Sequence, residues 1–357
     1  MTQPYLVVGA GAIGTFVAAS MALSGQPVIL VARGDAGERI RQAGLQLRTA
    51  HGETLACRVA VAPSTAAALA GSPAIGLAIL AVKSYDTAQA MAELRAATAS
   101  PPPVLTLQNG VGNEETAVAA LPNSHVLAGA ITTPVSVEAP GAVVVERDSR
   151  RLGLADVQLP ADPAAGRASL AAVAAAFQRA GFQVRCYDDW RSLKWTKLVM
   201  NLLCNASCAL LGWTPEQVWD HPGLVRLEMA AWREAMAVVR GLGLRLINLG
   251  GYPLAPVEPL LRRLPVGMLA PALRPFVVGG RGDKLPSLYL DLSRGKGRSE
   301  VAWLNGAVVE AGRQLGLATP ANRALTDALL AVVRGDEAWS AYRDQPAALL
   351  ARWRAAE

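Results

Sequence analysis

Val7-Val8-Gly9-Ala10-Gly11-Ala12-Ile13-Gly14 decides the fold. The run closes a short apolar stretch, Tyr5 to Val8, and opens a helical one, so it reads as strand, glycine turn, helix. In a Gly-x-Gly-x-x-Gly so placed, the first glycine permits the tight turn. The second lets the backbone approach a pyrophosphate, and the third lets helix pack on strand. The helix N-terminus then offers free N–H groups and a partial positive charge to the phosphates. Gly9, Ala10, Gly11, Ala12, Ile13 and Gly14 are therefore expected to bind a dinucleotide. The motif by itself is weak; its context strengthens it. A second apolar strand, Pro27 to Ala32, ends about twenty residues on, where the ribose of such a cofactor is read. Asp or Glu at that end would accept hydrogen bonds from a 2′-hydroxyl. Arg33 stands there instead, a permanently charged two-pronged partner for a 2′-phosphate. With Asp35 nearby as the one opposing feature, the reading favours NADP(H) over NAD.

Working outward, apolar strands alternate with helical stretches, with later strands at Gly76 to Val82 and Val104 to Leu107. That alternation implies a parallel sheet with helices on both faces. Between Gly44 and Pro63, alternation in Leu45-Gln46-Leu47-Arg48 and in Cys57-Arg58-Val59-Ala60-Val61 suggests a small hairpin-like insertion. His125 to Asp156 looks antiparallel, centred on Ala139-Pro140-Gly141. A boundary is expected near Tyr187-Asp188-Asp189, where either Asp can cap a following helix. The expected domains are 1–187, an α/β Rossmann-like doubly wound sheet, and 188–357, all-α. Helices are read at Pro215 to Gly241, Glu300 to Leu315 and Ala321 to Val333, with an amphipathic tail from Glu337 to Ala356. Leu244 to Gly280, rich in Pro and Gly, carries helical fragments such as Glu258 to Arg263 but otherwise resists placement.

Composition excludes several classes. The 357 residues carry a net charge of +6 and a pI near 9.4. The positive charge is mostly arginine spread along the chain, without the basic-aromatic blocks of a nucleic-acid surface. It suits a phosphorylated cofactor and a carboxylate substrate. Ala66 to Val82, the longest nearly uncharged stretch, is broken by Gly71, Ser72, Pro73 and Gly76, so no membrane span is expected. Nor does the N-terminus resemble a secretion signal, so a cytoplasmic location is expected. Cys57, Cys186, Cys204 and Cys208 show no metal or bridging pattern and read as small buried hydrophobes, the last two on one helix. His51, His125 and His221 are scattered and read as surface residues, so no metal site is expected.

The most specific signal is Trp195-Thr196-Lys197-Leu198-Val199-Met200-Asn201-Leu202-Leu203-Cys204-Asn205. At about 100° per residue, Lys197, Asn201 and Asn205 fall within roughly 80° of one helix face. A lysine and two amides among Leu, Val and Met are costly if buried without purpose. Lys194 lies near the same sector, and periodicity does not choose between the two lysines.

Here the sequence resembles the ketopantoate reductases (2-dehydropantoate 2-reductases) over nearly the whole chain. The likeness rests on Gly9 to Gly14, Ala81-Val82-Lys83-Ser84-Tyr85-Asp86, Gln108-Asn109-Gly110-Val111-Gly112-Asn113-Glu114 and the Trp195 to Asn205 segment. It continues through Pro286 to Asp291, Ser299 to Gly306 and Leu317 to Asn322. The resemblance implies a helical second domain like the C-terminal domain of 6-phosphogluconate dehydrogenase. It implies NADPH-dependent reduction of ketopantoate to pantoate, in pantothenate biosynthesis, in a cleft between the domains. Lys197 would be the catalytic acid. As an ammonium, with a reference pKa of about 10.4, it can stabilise a developing alkoxide and then protonate it. Glu300 would hold the substrate hydroxyl or orient that lysine, at the edge of the cofactor site. Asn201, Asn205 and Ser287 would hydrogen-bond substrate oxygens. Lys83 and Asn109 would line the nicotinamide end, Asn109 also touching substrate.

The sequence departs from the family at one corner. An asparagine usual three residues before the serine is Lys284 here, a candidate for a charge-assisted bond to the substrate carboxylate. Another family asparagine is replaced around Trp213-Thr214-Pro215, and the Leu244 to Gly280 stretch is long. These changes bear on which acid is bound, leaving a different small 2-oxo acid as one alternative. An NADP-binding protein without catalysis is the other. The retained Lys197, Asn201, Asn205, Ser287 and Glu300 speak against it, since a pure binder needs only the first domain. Helical second domains of this size often pair, so a homodimer is the oligomer to look for.

Overall fold

In the computed structural model of the chain, the described residues are 3–72, 74–147, 149–158, 163–279, 285–295 and 297–357. The strands are β1 (Tyr5–Val8), β2 (Val28–Val31), β3 (Leu45–Arg48), β4 (Thr54–Cys57), β5 (Ala60–Ala62), β6 (Leu77–Leu80), β7 (Val104–Thr106), β8 (Val126–Ile131), β9 (Val135–Ala139), β10 (Ala142–Val145), β11 (Arg151–Gln158) and β12 (Gln183–Cys186). Eight form one sheet in the order β12-β11-β8-β7-β6-β1-β2-β5. From β5 to β8 all neighbours are parallel; β11 then runs antiparallel to β8 and pairs in parallel with β12. Parallel strands covered on both faces read as unbroken apolar runs, and β2 and β6 are Val-Ile-Leu-Val and Leu-Ala-Ile-Leu. The chain order reverses between β1 and β6. In open α/β sheets that reversal opens a crevice at the strands' C-terminal ends, where ligands bind.

The other four strands form a separate sheet, β4-β3-β10-β9. Leu45 and Leu47 of β3 are buried and share one apolar core with Phe16, Val143 and Val145. Residues 45–48 do form a hairpin, but with Thr54–Cys57, while Ala60–Ala62 pairs with β2 at the edge of the main sheet. The turn decides this: Thr49 N donates to Glu53 O at 2.7 Å, and Gly52 takes φ +85°. Antiparallel pairing also occurs where it is expected, β8 with β11 and β9 with β10.

The chain divides into two compact units: residues 1–108 with 112–194, and residues 109–111 with 195–357. The second is helical, around a core that includes Leu198, Trp219, Trp232, Val308 and Leu325. Residues 215–241 are two helices, Pro215–Asp220 and Pro222–Gly241, because a proline disfavours helical geometry in the residue before it. Residues 244–279 include the helices Leu254–Arg263 and Val266–Gly279, with Pro259, Pro271 and Pro275 inside them. Prolines in helix interiors remove hydrogen bonds, so the pattern marked only fragments such as Glu258 to Arg263, which lies in the first of these helices. Glu300–Trp303 is a 3₁₀ turn separated at Leu304 from the helix Asn305–Leu315. Among the described residues no helix is long and apolar enough to cross a membrane.

Candidate active site

In the first unit the glycine turn sits at the β1/β6 crevice. Gly9 has φ +108°, and a Cβ there would lie 2.9 Å from Val82 N. A Cβ on Gly14 would overlap Gly9 O at 1.8 Å, so strand and helix meet at van der Waals contact through that position. Gly11 differs: among the described residues nothing lies within 4 Å of where its Cβ would be. It is also the N-cap of the helix Ala12–Leu23 and supplies no capping side chain, and no acidic residue occupies the first turn. Room, unblocked N–H groups and an unopposed helix dipole fit a dinucleotide pyrophosphate.

Across the crevice, Lys83 begins the turn after β6 as N-cap of the short 3₁₀ segment Ser84–Asp86. A buried polar network underlies it. Gln108 Nε2 donates to Thr87 Oγ1 at 3.0 Å, Thr87 Oγ1 to Asn113 Oδ1 at 2.7 Å, and Asn113 Nδ2 to Ser84 Oγ at 3.3 Å. The loops after β6 and β7 are thereby tied together. Sequence reading missed Thr87 and gave Asn113, though quoted in the Gln108 to Glu114 motif, no role; the available signal was polar residues just beyond two apolar strands. Arg33 is exposed just past β2, as N-cap of the helix Gly34–Ala43, with its Nη2 bonded to both carboxylate oxygens of Glu93.

The helix Trp190–Leu202 separates the two candidate lysines. Lys194 is buried in the first unit, its Nζ 2.9 Å from Glu114 Oε1 and 2.7 Å from Gln108 O. Glu114 Oε1 also accepts from Thr106 Oγ1 at 2.6 Å. Lys197, one turn on, is half-buried and belongs to the second unit. The buried Lys194 ammonium, held by Glu114 and the Gln108 carbonyl, is thus a structural cation of the first unit.

Asn205 is not on a continuous helix with Lys197 and Asn201. The helix stops at Leu202, Cys204 takes φ +54°, and a short helix restarts at Ala206. Backbone groups released by the break find specific partners. Trp232 Nε1 donates to Val199 O at 2.9 Å, and Cys204 N donates to Glu228 Oε2 at 2.7 Å. Asn205 Nδ2 donates to Asn201 O at 3.1 Å. Ser207 Oγ donates to the other oxygen of Glu228, whose side chain is buried. Asn205 Oδ1 is buried with no hydrogen-bond partner among the described residues. The break fixes the Asn205 amide so that one acceptor is left over.

Within the second unit, Asn201 Nδ2 donates to Asn109 Oδ1 at 3.1 Å, bringing together two residues picked from separate motifs. Val111 N donates to Trp303 O at 3.3 Å, and a Cβ on Gly110 would lie 2.4 Å from the same oxygen. The Asn109-Gly110-Val111 tripeptide is thus seated on the turn that Glu300 begins. Glu300 is buried, and Ser299 Oγ caps its turn by accepting from Val301 N. Ser287 opens the short helix Ser287–Ser293. Lys284 lies outside the described residues. Asn322, in the closing motif, bonds Asn305, Glu234 and Ala231 O, which makes it an internal brace.

Other expectations are corrected. His125 is buried, not a surface residue, and its Nε2 is 2.7 Å from Asp156 Oδ1. His221 is half-buried, and its Nδ1 accepts from Leu224 N. Cys204 and Cys208 are buried, but Cys186 is exposed and Cys57 only half-buried. Partial burial, then the Asp156 charge, pushes the Cys186 thiol up, away from a reactive thiolate.

An open glycine turn at the switch point of a parallel sheet is the equipment of a nicotinamide-dinucleotide enzyme. Comparison with known proteins sharpens that class. The chain matches the families described as "Ketopantoate reductase PanE/ApbA" over residues 5–157 and "Ketopantoate reductase PanE/ApbA C terminal" over residues 189–333. It is 29% identical over 339 residues to a 2-dehydropantoate 2-reductase of Archaeoglobus fulgidus, covering 94% of this chain and 98% of that one. A 2-dehydropantoate 2-reductase of Mesorhizobium japonicum is 29% identical over 350 residues, covering 92% and 96%. The crystal structure of a PanE/ApbA family ketopantoate reductase from Ralstonia eutropha JMP134 aligns with TM-score 0.75 at 28% identity, covering 94% of this chain and 99% of that one. D-mandelate dehydrogenase with NADH and anilino(oxo)acetate shares the fold, at TM-score 0.76 and 20% identity over 93% of this chain and 99% of that one. The chain belongs to the ketopantoate reductase family and is an oxidoreductase.

Proposed function

We propose that this protein reduces ketopantoate to pantoate with NADPH, and that Lys197 is its general acid. The observation that carries the reading is the Asn201–Asn109 hydrogen bond, which joins the lysine helix to the loop expected at the nicotinamide end of the cofactor site. When bound, NADPH supplies hydride from C4 of its ring to the ketone carbon. Gly9 to Gly14 hold the pyrophosphate, Lys83 the nicotinamide side, and Arg33 the 2′-phosphate. The Lys197 ammonium stabilises the negative charge that develops on the ketone oxygen, then donates its proton there. Asn205 Oδ1, buried and unpartnered, accepts a hydrogen bond from the substrate hydroxyl. Asn201 and Ser287 hold further substrate oxygens, Glu300 orients the lysine, and Lys284 meets the carboxylate.

NADPH oxidation measured with ketopantoate, with pantoate identified as product, tests the reading. Turnover of other 2-oxo acids but not ketopantoate would replace the substrate while keeping the chemistry. Wild-type turnover in Lys197→Ala would overturn the mechanism.

A further inference from the structure

The cation assigned above to the 2′-phosphate already holds an anion. Arg33 Nη2 donates to Glu93 Oε1 at 2.7 Å and to Oε2 at 2.6 Å, and Gln89 Nε2 donates to Oε1 at 3.0 Å from one turn earlier. Glu93 lies in the helix Thr87–Ala97, which follows β6, whereas Arg33 lies two residues past β2 as N-cap of the helix Gly34–Ala43. The carboxylate therefore comes from the helix after β6, which lies on the other side of β1 from β2 in the sheet order. Its side chain is 26% exposed against 62% for Arg33, so Glu93 is the more fixed member of the pair. Only Nη2 is used; Nε and Nη1 have no partner among the described residues.

We infer that Glu93 determines the cofactor specificity of this enzyme by opposing the 2′-phosphate at Arg33. The inference rests on the reading that Arg33 receives that phosphate. A dinucleotide with a 2′-phosphate must share one guanidinium with a carboxylate, placing a dianion and a monoanion on two edges of the same cation. A dinucleotide with a 2′-hydroxyl leaves the Arg33–Glu93 pair as it stands. Arginine at the end of β2 thus gives a smaller preference for NADPH than its charge alone implies. Glu93→Gln separates charge from geometry, because the amide oxygen still accepts from Arg33 Nη2 and keeps the guanidinium oriented.

The test measures dissociation constants for NADPH and NADH by quenching of tryptophan fluorescence, without turnover, in the wild type, Glu93→Gln and Arg33→Ala. Glu93→Gln is expected to tighten NADPH about two- to fivefold, the scale of an exposed ion pair, and to leave NADH unchanged. The gain should shrink as the salt rises from about 0.05 M toward 1 M and the screening length falls to about 3 Å. Unchanged or weaker NADPH binding in Glu93→Gln, while Arg33→Ala selectively weakens NADPH, overturns the role of Glu93 and leaves the Arg33 reading intact. Equal weakening of both cofactors in Arg33→Ala removes the Arg33 reading, and this inference falls with it.

Discussion

Lys194 and Lys197 stand one helical turn apart, and the structure predicts that losing them has opposite consequences. Lys194→Met removes the cation 2.9 Å from Glu114 Oε1, where the two side chains are 1% and 0% exposed. Among the described residues Glu114 then keeps only the Thr106 hydroxyl on that oxygen, and its Oε2 has no partner. Leaving a buried charge without its counter-ion costs about 3–5 kcal/mol. For a domain of about 150–250 residues, each kcal/mol moves Tm by about 2–4 °C, so the expected fall is about 6–20 °C. Glu114→Gln added to Lys194→Met should recover a large part of it, since a neutral amide no longer needs the cation. Lys197→Ala, at a half-buried position, should leave Tm within a few degrees. It should lower kcat by about 10²–10⁴, the contribution of a positioned general acid. Thermal unfolding by circular dichroism and steady-state turnover, run on all four proteins, separate the roles. A stable Lys194→Met enzyme with severely reduced kcat would refute the reasoning and make Lys194 the acid.

Three further outcomes follow from the geometry. Gly11→Ala should fold normally, since nothing meets its Cβ, yet bind NADPH about tenfold or more weakly by titration; Gly14→Ala, which overlaps Gly9 O, should lose Tm instead. Glu228→Ala unties Cys204 N and Ser207. It should raise KM for the oxo acid and lower kcat while the NADPH dissociation constant holds, with Glu228→Gln intermediate; an equal loss of NADPH affinity would make Glu228 a general stability residue. Glu234 is raised above the usual carboxylate range by burial, against the bonds from Asn322 and Ala321 that lower it. Its folded form then holds a proton longer than the unfolded chain, so its contribution to stability is present at low pH and is lost as pH rises from about 4.5 through the raised value. Glu234→Gln should flatten that stretch of the stability–pH curve measured by urea unfolding.

The parts of the fold legible in sequence were those fixed by local pattern. β1 stands where its apolar run and glycine turn place it, because buried parallel strands announce themselves as unbroken hydrophobic stretches. The break at Leu203 to Asn205 could not be read, since no glycine or proline marks it. It is imposed by Glu228 and Trp232, distant in sequence, whose side chains satisfy the freed backbone groups. The same holds for His125, which looks like an isolated surface histidine until β8 and β11 bring Asp156 beside it. Lys194 and Lys197 share one helical period, so periodicity does not separate them, whereas the tertiary partners of Lys194 do.

The tripeptide 109–111 has a consequence for anyone dividing this gene. It is encoded inside the first unit yet belongs to the second, so the polypeptide passes between the units at residues 108/109, 111/112 and 194/195. A fragment starting at residue 195 would lack Asn109 and leave the Asn201 amide and the Trp303 carbonyl without the neighbours they hold. Neither half is a transferable cassette. Recombination that exchanged the helical half for another would have to carry three residues from the middle of the nucleotide-binding half along with it.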